Sequence, residues 1–194
     1  MAGRPKEFDP EEALEKAMRL FWSKGYHDTS IRDLVEATGV NYYGLYGAFE
    51  NKQGLFLAAL DRYRATVTAE VIKDLPAARP VLPAIRKAFA RLLRIMDPAE
   101  GRRGCLMCNA AVELGPYQPE AAAKVQAHLK LLGKAFRDAL ARARDAGEIA
   151  EDVDVGAQAE FLATTAYSAG VLLRAGLPRR QVQRHVDSAL AGLG

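Results

Sequence analysis

Residues Ser30 to Lys52, SIRDLVEATGVNYYGLYGAFENK, leave the chain little freedom, because they carry two helix starts with a stop between them. The Ser30 hydroxyl can accept an N–H from the next turn, and Asp33 can bond back to the Ser30 amide, a capping-box pattern. Ile31, Leu34 and Val35 then put an apolar stripe on one face at helical spacing. Gly39 stops that helix, Val40 is available to a core, and Asn41 caps a second helix. This second helix holds Tyr42, Tyr43, Tyr46 and Phe49 with no acid before Glu50. Leu45 and Phe49, four apart, should face inward, which leaves Tyr42, Tyr43, Gly44 and Tyr46 largely outward. Outward tyrosines on a short helix form a contact surface more readily than a core.

The rest of the chain also reads as helices. Asp9 caps the first long one, with Pro10 at its first position and Glu12 closing the box. Ala13, Leu14, Ala17, Met18, Phe21 and Trp22 make its core face, and Gly25 ends it. Asn51 begins a fourth helix that reaches toward Leu75, and Pro76, Pro80 and Pro83 break the chain after it. Further helices are expected from about Pro83 to Met96, Cys105 to Leu114, and Pro119 to Ala146. The Pro119 helix should carry Val125, Leu129, Leu132, Phe136 and Leu140 inward. The last two run from about Val153 to Arg174 and from Pro178 to Leu193. Ala163, Ala166, Ala169 and Gly170 leave room for another helix to approach closely, and Val182, Val186 and Leu190 form a seam.

Composition supports an all-α fold. The chain has 194 residues, suited to one domain or two small ones, and 49% hydrophobic content, enough for a real core. Alanine, leucine and arginine are frequent whereas isoleucine and threonine are sparse. The opening MAGRPKEFDPEE is polar and no secretory signal is expected in it. Phe161 to Leu173, the most apolar run, is too short to span a bilayer, so no membrane partner is expected. Cys105 and Cys108 make no disulfide framework, which suits a cytoplasmic protein. The net charge of +3 says little about partners, because through Lys52 acids outnumber bases nine to seven. Positive charge near the two short helices must therefore be local: an N-terminal Gly3-Arg4-Pro5-Lys6 arm and a few placed side chains.

The run T-S-I-R-D-L-V-E-A-T-G-V-N-Y-Y-G-L-Y-G-A-F-x-N-K resembles the helix-turn-helix of the tetracycline-repressor (TetR) family of bacterial transcriptional regulators. Thr29/Ser30, Arg32, Gly39-Val40, Leu45-Tyr46, Phe49 and Lys52 carry the likeness. The doubled Tyr42-Tyr43 and the acidic balance depart from it and leave the operator sequence open. The resemblance implies a three-helix DNA-binding domain over residues 1–52 and a helical effector and dimerisation domain over 53–194, joined by the fourth helix. It implies a homodimer through the last two helices, on a palindromic double-stranded operator. Tyr46 and Lys52 match the family's phosphate contacts, and Ser30 and Arg32 match the other anchor, at a helix N-terminus that favours phosphate. Asn41, Tyr42, Tyr43 and Gly44 lie where base readers are placed, and Arg4 and Lys6 suit a narrow minor groove. A small-molecule effector site is expected among Tyr63, Phe89, Met96, Cys105, Met107, Phe136, Phe161 and Tyr167.

Nothing in the sequence assembles a catalytic site. His27, His128 and His185 have no nearby acid and nucleophile, and Asp152 and Asp154 read as caps. Cys105 and Cys108 lack the further ligands of a zinc site, so neither metal nor cofactor is expected. The segment R-G-C-L-M-C-N-A-A-V-E-L also resembles a subgroup that includes the bacterial repressor responding to N-ethylmaleimide. There the Cys after the Gly, matched by Cys105, is the sensing thiol. Arg102, Arg103 and the helix start would then lower its pKa. A packed small residue at a helix start is the alternative, as is a regulator with no effector.

Overall fold

The computed structural model describes residues 8–97 and 103–193, and among them every regular element is helical. The first three are α1 (Pro10–Lys24), α2 (Ile31–Thr38) and α3 (Tyr42–Phe49). Asp9 caps α1 through the Glu11 amide, 2.9 Å, but Glu12 does not close a box. It pairs instead with Lys16 one turn on, 2.7 Å. The α1 stripe meets α4 (Lys52–Tyr63), where Phe21 packs edge-on to Phe56 and Trp22 to Tyr63, each at 5.0 Å.

The fourth helix does not run unbroken to Leu75. A π-helical stretch, Arg64–Thr68, follows α4, then α5 (Ala69–Ile72) and a 3-10 turn, Leu75–Ala77. The β-branched run Thr66-Val67-Thr68 favours the change, since Thr66 Oγ1 donates back to the Arg62 carbonyl, 2.8 Å, and competes with the ladder. The far end is pinned. Buried Arg91 donates to the Glu70 and Val71 carbonyls and to Asp74, and Arg142 donates to the Leu75 carbonyl.

The body adds α6 (Val81–Ile95), α7 (Leu106–Glu113), α8 (Pro119–Asp145), α9 (Val155–Arg174) and α10 (Arg179–Ala191). Asp154 caps α9 through the Ala157 amide, 3.0 Å, as expected of a loop-to-helix Asp. The buried stripe of α8 runs Val125, His128, Leu132, Phe136, so Leu129 lies exposed and His128 takes the inward place expected of it. The small residues of α9 also face inward. A Cβ on Gly170 would stand 2.8 Å from the Cys105 Cβ, so the helix approach they permit is with this chain's own segments. Val182, Val186 and Leu190 are likewise buried within the chain. The outward face of α9 is instead Phe161, Thr164, Ser168 and Val171, a stripe at three- and four-residue steps with Phe161 and Val171 about half exposed. No described helix is long and apolar enough to cross a membrane.

Candidate nucleic-acid interface

The α2 start is built as the sequence predicts. Ser30 Oγ accepts the Asp33 amide at 3.1 Å, and Asp33 accepts both the Ser30 amide and its hydroxyl at 2.8 Å. Lys24 pairs with the same carboxylate at 2.9 Å. Lys24 and the two Ser30 donors hold the Asp33 carboxyl well below the usual carboxylate range. Ser30 therefore directs both its donors at Asp33, and the free cation at this helix start is exposed Arg32, which no ion pair holds among the described residues. Gly39, at φ 73°, closes α2 and turns the chain into α3.

On α3 the Asn41 carboxamide oxygen caps the Gly44 amide, 2.9 Å, and Leu45 is buried. Tyr43 is 84% exposed and Tyr42 48%, which makes them the foremost surface of the helix. Their rings are not independent. Tyr42 stands edge-on to Tyr43 and 4.3 Å from Tyr46, which is half-buried beneath it. Burial, with Tyr42 adding to it, raises the Tyr46 phenol above its ordinary pKa, while the Lys52 amide donates to it and opposes the shift. Gly44 corrects the outward reading: a Cβ there would meet Val40 Cγ1 at 2.8 Å and Phe8 at 3.2 Å. Glycine here lets the half-buried start of α3 seat closely on Val40 and Phe8.

Lys52 opens α4 beside this surface, its ammonium 4.4 Å from the centre of the Tyr26 ring. Partial burial lowers its pKa, and the carboxylates of Glu113, Asp28 and Asp33 oppose that. The helix α3 itself carries no charged side chain, so it offers rings and phenol hydroxyls to a groove while Lys52 and Arg32 flank it. That division suits a protein that positions itself on phosphates and reads bases with uncharged groups. Arg4 and Lys6 lie outside the described residues.

A second cluster lies in the body, around a cavity of about 20 Å³. Tyr63, Met96, Cys105 and Tyr167 line it, together with Thr68 and His128. The other expected effector residues lie elsewhere. Phe89 and Phe136 stack on each other at 5.6 Å in the core, Met107 is buried on α7, and Phe161 is half exposed on the outer face of α9. The Cys105 thiol stands by Cys108 and the His128 ring, while the Cys108 thiol donates to the Tyr167 carbonyl at 3.8 Å. Its two neighbours hold the Cys105 pKa well below that of Cys108 against the opposing effect of burial. Arg103 lies over the Trp22 ring and Arg102 lies outside the described residues, whereas α8 places the His128 ring by the thiol. Burial raises the Tyr63 and Tyr167 phenols, and the Tyr167 hydroxyl finds no hydrogen-bond partner among the described residues. The sequence held the signal for His128, since Val125, His128 and Leu132 keep helical steps as well as Val125, Leu129 and Leu132 do. Among the described residues no three His, Cys, Asp or Glu side chains gather as a metal site.

Comparison with known proteins agrees with this geometry. Residues 13–59 match the model of the bacterial regulatory proteins of the tetR family, and residues 81–189 match a tetracyclin repressor-like C-terminal domain. The chain is 34% identical over 192 residues to the uncharacterized HTH-type transcriptional regulator YezE of Bacillus subtilis (strain 168), covering 98% of this chain and 99% of that one. It is 38% identical over 161 residues to the HTH-type transcriptional repressor ComR of Escherichia coli (strain K12), covering 82% and 77%. Among solved structures it is similar to the TetR-family regulator CifR, a cysteine mutant complexed with a 26-base-pair double-stranded operator DNA. There the TM-score is 0.88 at 29% identity, covering 99% of this chain and 100% of that one. The chain belongs to the tetR family of bacterial regulatory proteins, DNA-binding transcriptional regulators that act as dimers.

Proposed function

We propose that this protein is a repressor that leaves a palindromic operator when a small molecule enters its body. The exposed tyrosine pair on α3, flanked by Lys52 and Arg32, carries the reading: it is a surface with no use inside the fold. Tyr42 and Tyr43 read bases, and Tyr46, Lys52 and Arg32 hold the backbone, joined by the N-terminal Arg4 and Lys6. The reader of residues 1–52 hangs on the body of residues 53–194 through α4. Two copies meet through the outward stripe of α9 and the facing side of α10, which sets two readers about one helical turn of DNA apart. Such a protein works in the cytoplasm, where the DNA is, and performs no catalysis.

The body supplies the input. The cavity is small, near the limit for a single water. A ligand therefore selects a state in which the walls have moved. It shifts the equilibrium only by binding that state better than the operator-bound one. The walls include Val67 and Thr68 of the π-helical stretch, so enlarging the cavity displaces the segment that carries the reader. Selecting DNA from a random duplex library with the purified dimer tests the reading. Recovery of a two-fold symmetric site is expected, and recovery of no common sequence would overturn it.

The pairing of Cys105 with Cys108 and His128 favours a second form of the same input, in which the thiol itself is modified.

A further inference from the structure

The α1–α2 turn is fastened to the end of α7. Gly25 ends α1 at φ 91°, and the next two amides point out of the helix end together. The Glu113 carboxylate, at the last residue of α7, receives both: Tyr26 N–H at 2.8 Å and His27 N–H at 3.2 Å. It occupies the space that glycine leaves, since a Cβ on Gly25 would lie 2.5 Å from Glu113 Oε1. The Glu113 carbonyl lies 3.4 Å from the His27 ring nitrogen as well. A second fastening sits just before α7, where Trp22 Nε1 donates to the Gly104 carbonyl at 2.9 Å. Helix α7 thus bridges between two points on α1 and its exit.

What that turn controls is the reader. Thr29, buried and bonded to the Gly25 carbonyl at 2.6 Å, leads directly into Ser30, the cap of α2. The Tyr26 ring packs on Phe56 at 5.0 Å and holds the Lys52 ammonium on its other side. The start of α2 and the Lys52 phosphate contact are therefore both referenced to the two amides that Glu113 grips. We propose that Glu113 is a positioning residue for operator binding: a carboxylate of the body that sets the angle of the reader, and so the spacing of two half-sites that the dimer accepts. This rests on the DNA-binding reading above and adds to it a residue of the body.

The experiment uses the full-length dimer and three duplexes: the site selected with the parent protein, the same site with one base pair inserted at its centre, and an unrelated sequence. The parent's preference for its selected site tests the DNA-binding reading by itself. Glu113→Ala should bind the selected site about tenfold more weakly, the size of one charge-assisted hydrogen bond. Its binding to the inserted and unrelated duplexes should stay as in the parent, so that spacing discrimination shrinks by the same factor. Glu113→Gln keeps an acceptor oxygen at the same reach and should restore discrimination. Glu113→Asp, which withdraws the carboxylate, should not. If Glu113→Ala does not fold, the Gln and Asp variants carry the same contrast. Parent-like discrimination in Glu113→Ala or Glu113→Asp, equal weakening on all three duplexes, or failure of Gln to rescue would each overturn the assignment.

Discussion

Replacing Lys52 with alanine separates backbone positioning from base reading. In the proposed reading Lys52 lies beside a helix that carries no charge of its own, so a large share of the phosphate attraction at each half-site should pass through it. In a dimer the substitution removes two lysine–phosphate contacts. Each neutralised phosphate contributes about 0.9 to the slope of log affinity against log salt, so the slope should flatten by about 1.8. Between about 50 and 200 mM salt the parent should then lose roughly tenfold more affinity than the variant. The contact with Tyr26 is lost too and costs the free fold about 0.5–1 kcal/mol, which thermal unfolding without DNA measures separately. Fluorescence anisotropy of a labelled operator across that salt range gives both slopes. Parallel slopes would refute the phosphate role, and so would a change in preferred sequence at unchanged overall affinity.

Tyr43→Ala should leave thermal stability within about 0.5 kcal/mol of the parent, as for an exposed surface position, yet change which operator variants are preferred when binding is repeated on single-base substitutions. Asp33→Asn should destabilise the protein near neutral pH. Because the folded-state pKa is depressed, the contribution is present above the unfolded carboxylate value of about 3.9 and fades as pH falls through the folded one. Unfolding curves of parent and variant should therefore converge in strong acid and differ at pH 7. Phe161→Asp should yield a folded monomer by sedimentation, since Phe161 is half exposed on the outward stripe of α9. Gly170→Leu should instead lower the unfolding temperature, by overpacking against Cys105 that costs about 1–3 kcal/mol.

Local signals in the sequence survive into the structure where their partners are also local. The Ser30–Asp33 box, the Asn41 and Asp154 caps and the Gly25 and Gly39 stops all depend on residues within one turn, and all form. Direction was harder to read where two faces compete. Gly44 was placed outward by the spacing of its tyrosine neighbours, but Phe8 and Val40 close over it from outside the helix. Gly170 looks like a site for a second subunit until Cys105 is seen packed on it from a distant segment. Phe161 was read as lining an interior because it is apolar. A helix proposed to pair with a second copy, however, shows an apolar face to solvent in the single chain. The grip of Glu113 on Tyr26 and His27 spans 87 and 86 positions, and no periodicity announces it.

The thiol reading turns on the same long-range placement. His128 and Cys105 are far apart in sequence, yet α8 brings the imidazole beside the sulfur, with Cys108 one turn along α7. An ordinary thiol with a pKa of about 8.5 reacts faster as pH rises, because only the thiolate is the nucleophile. With its pKa held below that value, Cys105 should react with N-ethylmaleimide at a rate that stays nearly flat from about pH 7 to 9. Cys105 is 4% exposed, so each reaction must await an opening of the cavity, which is a second reason for a flat profile. His128→Phe distinguishes the two: it restores an upward slope if the histidine holds the charge and leaves the profile flat if opening alone limits the rate. The chain has only two cysteines, so intact mass measured on Cys105→Ser and Cys108→Ser assigns each adduct without ambiguity. The adduct adds bulk to a cavity near the limit for a single water, so modification should displace its walls, Val67 and Thr68 of the π-helical stretch among them. Operator release should therefore follow modification of Cys105 in the parent and in Cys108→Ser, and be absent in Cys105→Ser. A rate that climbs with pH in the parent, or release from Cys105→Ser under the same reagent, would remove the thiol from the mechanism and leave a reversible ligand as the signal.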